Sequence, residues 1–131
     1  MQDFSISDLT EPELEVVRVP VPEFNRDGKE ICCHVKEMTA NDRDKRCDTW
    51  WEHYKEQCEE DEVQPVGRVP WVAAACVCKE DGTWKAPSKL EVIELAEKFN
   101  GQKATAVERI VRAASELNGM GKSEVERIEK K

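Results

Sequence analysis

Six cysteines and two histidines are the side chains of this 131-residue chain whose chemistry needs testing first. Thiolate and imidazole are the ligands zinc prefers, but a structural zinc site is built from paired knuckles of the Cys-x-x-Cys kind. Here Cys32 and Cys33 are adjacent, and a single residue separates Cys76 from Cys78. Cys47 and Cys58 fall on the apolar stripe of an expected helix. The spacing predicts packed structural thiols and no metal site. A cysteine nucleophile would need a histidine base and surroundings that lower the thiol pKa. Cys33 beside His34 does not supply this, since neighbours on a strand point to opposite faces. His53 lies off the stripe of Cys58 and is expected to be solvated. Carboxylates are too numerous for any pair to be informative, and no glycine-rich phosphate loop or His-Glu-x-x-His is present. No catalytic residue and no cofactor is expected, so the chain reads as a non-enzymatic protein.

The composition narrows the partners. The formal net charge is −8, which disfavours binding to nucleic acid through its phosphates. The charge is uneven. Residues 1–62 hold 18 acids and 8 bases, a net of −10, whereas residues 63–131 hold 10 and 12, a net of +2. The longest apolar run, Trp71 to Cys78, is far too short to span a bilayer, and no basic-then-apolar leader opens the chain. A soluble, unexported protein with reduced cysteines is expected.

The elements that would position these residues follow from periodicity and punctuation. Residues 1–13 are expected to form a flexible acidic lead-in, and residues 14–131 a single α+β domain. Within it a hairpin over 14–38 begins with a valine-rich strand whose Pro20 confines it to a sheet edge. Asn25 to Gly28 then make the turn, and Ile31, Cys33 and Val35 alternate along a second strand. A lone hairpin is barely stable in water, so it must dock on helices or gain strands from elsewhere.

Thr39 with Asp42 opens a helix over 39–59, with Cys47, Trp50, Trp51, Tyr54 and Cys58 on one stripe. Trp50 and Trp51 cannot both point fully inward from so narrow a stripe, which makes them candidate partner-binding residues. Residues 60–69, broken by Pro65 and Gly67, are the linker candidate, and residues 70–131 form the helical part. Its first helix starts at Pro70, runs through Trp71 to Val77 and is ended by Asp81-Gly82, with a strand as the alternative for so short an apolar run.

Ser88 and Glu91 form a capping-box pair ahead of a stripe of Val92, Leu95, Ala96 and Phe99. Across Asn100-Gly101, Val107, Ile110, Val111, Ala114 and Leu117 form a second stripe, and the short connection predicts that the two helices are neighbours. Asn118-Gly119 is a helix stop, and Ser123 with Glu126 opens a last short helix. Met120, Val125 and Ile128 are the other candidate partner-binding residues, because so short a helix has little core of its own to complete. The fold expected is thus an N-terminal β-hairpin packed on a mainly helical C-terminal part.

From Glu15 onward this order of features resembles the tail assembly chaperones of long-tailed bacteriophages. The resemblance consists of the proline-bearing hairpin Val19-Pro20-Val21-Pro22-Glu23-Phe24 then Ile31 to Val35, the helix opening after Met38-Thr39-Ala40-Asn41-Asp42-Arg43-Asp44, the alanine-rich segment ending in Cys78-Lys79-Glu80-Asp81-Gly82, and Leu90 to Phe99. The ending Ile110 to Met120, which closes in Leu117-Asn118-Gly119, is its most specific piece. The chain departs from the family in its cysteine content, its tryptophan pair and the acidic run Glu59 to Glu62.

The resemblance implies an assembly factor in the infected host's cytoplasm, absent from the mature virion. Its partners would be the tape measure protein and the tail-tube protein, with no nucleic acid and no membrane. Self-association or a frameshift-extended form is also implied, since Glu129-Lys130-Lys131 could be encoded by a slippery adenine run. Two other classes fit the composition: an acidic regulatory or DNA-mimic binding protein, and a metal-binding module.

Overall fold

The computed structural model describes residues 1–120, an α+β fold in which a three-stranded antiparallel sheet is joined to a helical C-terminal part. Strands β1 (Val16–Pro20) and β2 (Cys32–Lys36) form the expected hairpin, with Val17 opposite Val35 and Val19 opposite Cys33. Its tip turns through Asp27 and Gly28, both at positive φ (51° and 72°), the conformation a tight two-residue hairpin turn requires. The strand pair is extended by backbone bonds from Val21 N to Ile31 O and from Glu37 N to Glu15 O. Residues 15, 17, 19 and 21 therefore exchange bonds with β2. Pro20 faces off the sheet, where its missing N–H costs nothing.

A third strand, β3 (Val77–Cys78), pairs with the other side of β2. The helix expected from Pro70 to Asp81-Gly82 is thus corrected at both ends. Helix α3 runs from Arg68 to Cys76, and Val77 leaves it in an extended conformation to take up the free edge of β2. Asp81-Gly82 still makes a turn, with Gly82 at φ 90°, and returns the chain so that Trp84 bridges to Cys78.

Helix α1 (Ala40–Arg43) is capped at Thr39, whose hydroxyl accepts from Asp42 N at 3.1 Å. A π-helical segment, Asp44–Thr49, follows and passes into α2 (Trp50–Glu60). The wider π turn lets the consecutive residues Arg46 and Cys47 both be buried. Residues 60–69 are not a free linker. Val66 and Val69 are buried, and the Val66 amide donates to the Tyr54 hydroxyl at 2.9 Å.

Helices α4 (Lys89–Asn100) and α5 (Ala104–Asn118) form where the stripes predict them, with Ser88 capping Glu91 N at 3.2 Å. They do not lie chiefly on each other. Helix α3 packs against both and carries the centre of the core, where Trp71, Val72, Ala73, Ala74, Ala75 and Cys76 are all fully buried. A helix that is apolar on every side belongs inside, and the small alanines let its neighbours approach closely. Among the described residues, no helix is long and apolar enough to cross a membrane.

Candidate functional site

Of the side chains singled out in the sequence, Trp50 and Trp51 lie at the junction of the π segment and α2. Trp51 is half-buried, with its ring centroid 6.0 Å from that of Tyr54 and 5.4 Å from that of Trp71, and Tyr54 stacks on Trp71 at 5.2 Å. Lys55 and Arg68 place their charges 5.1 and 5.9 Å from the Trp51 ring centre. Trp50 is also half-buried, with Lys45 at 5.6 Å and Arg46 at 5.3 Å. Each tryptophan therefore meets the core and carries cations at its ring face, an arrangement that leaves part of both indoles in solvent.

Arg46 is the residue that sequence reasoning missed. Its side chain is 1% exposed. Nε donates to Ala75 O at 2.9 Å, and one terminal nitrogen donates to Ala86 O at 2.6 Å. The guanidinium lies 4.0 Å from the Trp84 ring centre and is flanked on another side by Trp50. Burial pushes its pKa down from the ordinary arginine value. Among the described residues its hydrogen-bond acceptors are all backbone carbonyls, and aromatic faces flank it, while Asp42 and Glu91 act on it only through longer-range charge. Its backbone oxygen accepts from Trp71 Nε1 at 3.0 Å. Nearby, Arg68 donates to Cys47 O and to Asp48 Oδ1 at 2.8 Å. The one sequence signal for Arg46 was its place beside Cys47 on the buried stripe. Its acceptors lie 29 and 40 residues away and leave no local trace.

All six cysteines are free thiols. Cys32, Cys33 and Cys78 line a pocket of about 480 Å³ with His34, Leu95 and Phe99, and Lys79, Glu80 and Lys85 also line it. Burial raises the pKa of Cys33 and of Cys78, which keeps these thiols protonated and poorly nucleophilic. His34 lines the same pocket as Cys33, yet no hydrogen bond among the described residues couples it to a thiol. Cys47 and Cys76 are buried together. The hydrogen bond between them, with burial, raises Cys76 well above the ordinary thiol value. Among the described residues no three His, Cys, Asp or Glu side chains converge as a metal site.

Met120 is not on an open face: it is buried at 9% exposure, just past the end of α5. The reason is the helix stop before it, where Gly119 adopts a left-handed conformation at φ 59° and the Met120 amide returns to Ser115 O at 3.0 Å. Val125 and Ile128, and the short helix expected after Ser123, lie outside the described residues.

Asn118 forms a second node. Its Oδ1 accepts from Met38 N at 2.6 Å, its Nδ2 donates to Lys36 O at 3.2 Å and to Ala114 O at 2.9 Å, and its carbonyl accepts from Arg43 at 3.3 Å. One side chain thus ties the end of β2, the start of α1 and the end of α5. No protein-family model, curated protein or solved structure matches the chain.

Proposed function

We propose that the chain is a tail assembly chaperone of a long-tailed bacteriophage. It acts in the host cytoplasm as a non-enzymatic binder that keeps the tape measure protein soluble while tail-tube subunits gather around it, and it is absent from the finished virion. The observation that carries this reading is the Asn118 node. The helix opening at Met38 and Arg43 and the closing Leu117-Asn118-Gly119 are two of the separate pieces on which the resemblance rests. Both Met38 and Arg43 are hydrogen-bonded to Asn118, which also donates to Lys36 O, one residue past the hairpin piece Ile31 to Val35. A tape measure protein is long and helical, with apolar stripes that associate when uncovered. A binder carrying part-exposed aromatic anchors such as Trp50 and Trp51 suits a helix-in-groove contact.

Co-expression with the tape measure protein encoded beside it tests the reading. The expected result is co-purification and a raised soluble yield of the partner. Trp50→Ala, in protein whose circular dichroism is unchanged, should weaken capture by roughly tenfold. Failure to co-purify or to raise solubility would remove the proposal. Capture of a basic DNA-binding protein in competition with DNA would favour an acidic DNA mimic instead.

A further inference from the structure

The sheet runs out early on one side. The register that pairs His34 with Cys78 would set Cys33 opposite Lys79, but the Lys79 amide turns away to donate to Thr83 O at 2.8 Å, and β3 ends at Cys78. The pocket of about 480 Å³ lined by Cys32, Cys33 and Cys78 opens at this gap. Its apolar wall comes from three elements: Cys33 on β2, Val77 and Cys78 on β3, and Leu95 and Phe99 on α4. Small-molecule sites have volumes of roughly 300–1,000 Å³, and this pocket falls among them.

The polar groups at the gap are mostly donors. Strand bonds alternate in direction, so with Cys33 bonded to Val19 of β1, the Cys32 N–H points to the opposite side, where β3 has ended. Among the described residues no backbone carbonyl accepts from it. Lys79 and Lys85 line the pocket from the two arms of the Asp81-Gly82 turn, and the bond from Lys85 N to Val77 O, at 3.2 Å, fixes the second arm as the Lys79 amide fixes the first. Neither lysine is in a salt bridge among the described residues. Glu80 is the one carboxylate on the wall, so two lysines against one glutamate leave an excess of positive charge in a chain of net charge −8. The thiols do not offset it, since burial keeps Cys33 and Cys78 protonated while the Lys85 charge bears on both. Beyond the wall, Lys36 and Asp81 bear on Cys78 with opposite sign, and Asp81 is engaged by the Thr83 amide and hydroxyl at 3.0 and 2.6 Å.

We propose that this pocket binds a small organic anion, an apolar body of one or two rings or a short acyl chain that carries one carboxylate or sulfonate. The body lies against Val77, Leu95 and Phe99, and the anionic group sits at the gap, where it accepts from the Cys32 amide and pairs with Lys85 and Lys79. Rival occupants lack one half of this match. An uncharged apolar molecule leaves both ammonium groups without a counter-ion, and a cation meets like charge. A metal ion would need thiolates, and among the described residues no three ligating side chains converge. A peptide strand would find only Cys32 of β2 beyond the end of β3, too short a ladder to extend.

Fluorescence titration with anilinonaphthalene sulfonate, an apolar ring system bearing one sulfonate, tests the site against phenylnaphthylamine, the same ring system without it. The sulfonate should saturate at one molecule per chain and bind roughly tenfold more tightly than the amine, or better. Lys85→Gln, at an exposed position, should weaken the sulfonate by about tenfold and leave the amine unchanged. Leu95→Trp should fill the pocket and exclude both. Lys103→Gln, which removes an exposed cation at the start of α5, should change neither. Absence of saturable sulfonate binding overturns the proposal, as do equal affinities for the two probes. Sulfonate binding that is indifferent to Lys85→Gln, or weakened as much by Lys103→Gln, overturns it too. So does binding that survives Leu95→Trp in protein whose circular dichroism is unchanged, because the probe is then elsewhere. If Leu95→Trp does not fold, the two lysine variants decide alone. These readouts need no tape measure protein, so they stand or fall apart from the chaperone assignment.

Discussion

Helices α3 and α5 are built on opposite plans. Helix α5 spreads its buried residues, among them Val107, Ile110, Val111 and Ala114, along one face and leaves Arg109, Arg112 and Glu116 in solvent. Helix α3 buries seven of its nine residues and shows no polar face beyond its first turn. A one-sided helix declares its conformation through periodicity and needs cover along one face only. A helix buried all round gives no periodic signal, yet it is the element the others pack on. In this protein, legibility and structural centrality run in opposite directions.

The largest test of that contrast is Trp71→Ala. Trp71 is fully buried, stacks with Tyr54 and donates to Arg46 O, so its loss should cost about 4 kcal/mol by urea unfolding. On the legible helix, Ile110→Val should cost about 1 kcal/mol. Equal costs would mean that α3 is not the hub. Next comes Arg46→Ala, which leaves Ala75 O and Ala86 O without their donor and should cost about 3 kcal/mol. Arg46→Lys cannot reproduce the planar fork between Trp50 and Trp84 and should recover only part of the loss. Full recovery would reduce the site to a buried point charge. Asn118→Ala should follow at about 2 kcal/mol, because it frees the Met38 amide and the Lys36 carbonyl together.

What could be read beforehand was what is encoded locally. Thr39 and Ser88 cap helices as their spacing with Asp42 and Glu91 predicts, because a cap is a contact three residues long. Pro20 marked an edge strand because its missing donor has to face off the sheet. Strand β3 was legible only as the alternative to a helix for the whole run, since two residues ending an apolar run carry no period, and it was β2's second edge that drew Val77 out of the helix. The expected contact between α4 and α5 failed for a related reason: a short connection fixes where a helix begins, while the all-apolar α3 took the space between. At the candidate site, Trp50 and Trp51 were legible as a pair that one stripe could not bury. Arg46 was not, since an arginine satisfied by distant carbonyls looks in sequence like any solvated charge.

The smallest predicted effect separates surface from core on the legible side of the molecule. Glu23, in the short turn Pro22–Phe24 after β1, receives Arg109 Nε at 2.9 Å on both carboxylate oxygens. That bond holds the Glu23 carboxyl below the usual glutamate range. A depressed carboxyl pKa contributes stability that is present above the unfolded value and is lost as pH falls through the folded one. Wild type should therefore exceed Glu23→Gln by a small margin at neutral pH. The margin should shrink as acid takes the pH below the ordinary glutamate range and vanish once the native carboxyl is protonated. Raised salt should shrink it at neutral pH too, because the Arg109 side chain is 51% exposed. Urea midpoints of the two proteins, compared across acid titration and salt, measure it. A margin that survives full protonation would show that packing of the turn on α5, rather than the ion pair, holds the hairpin to that helix.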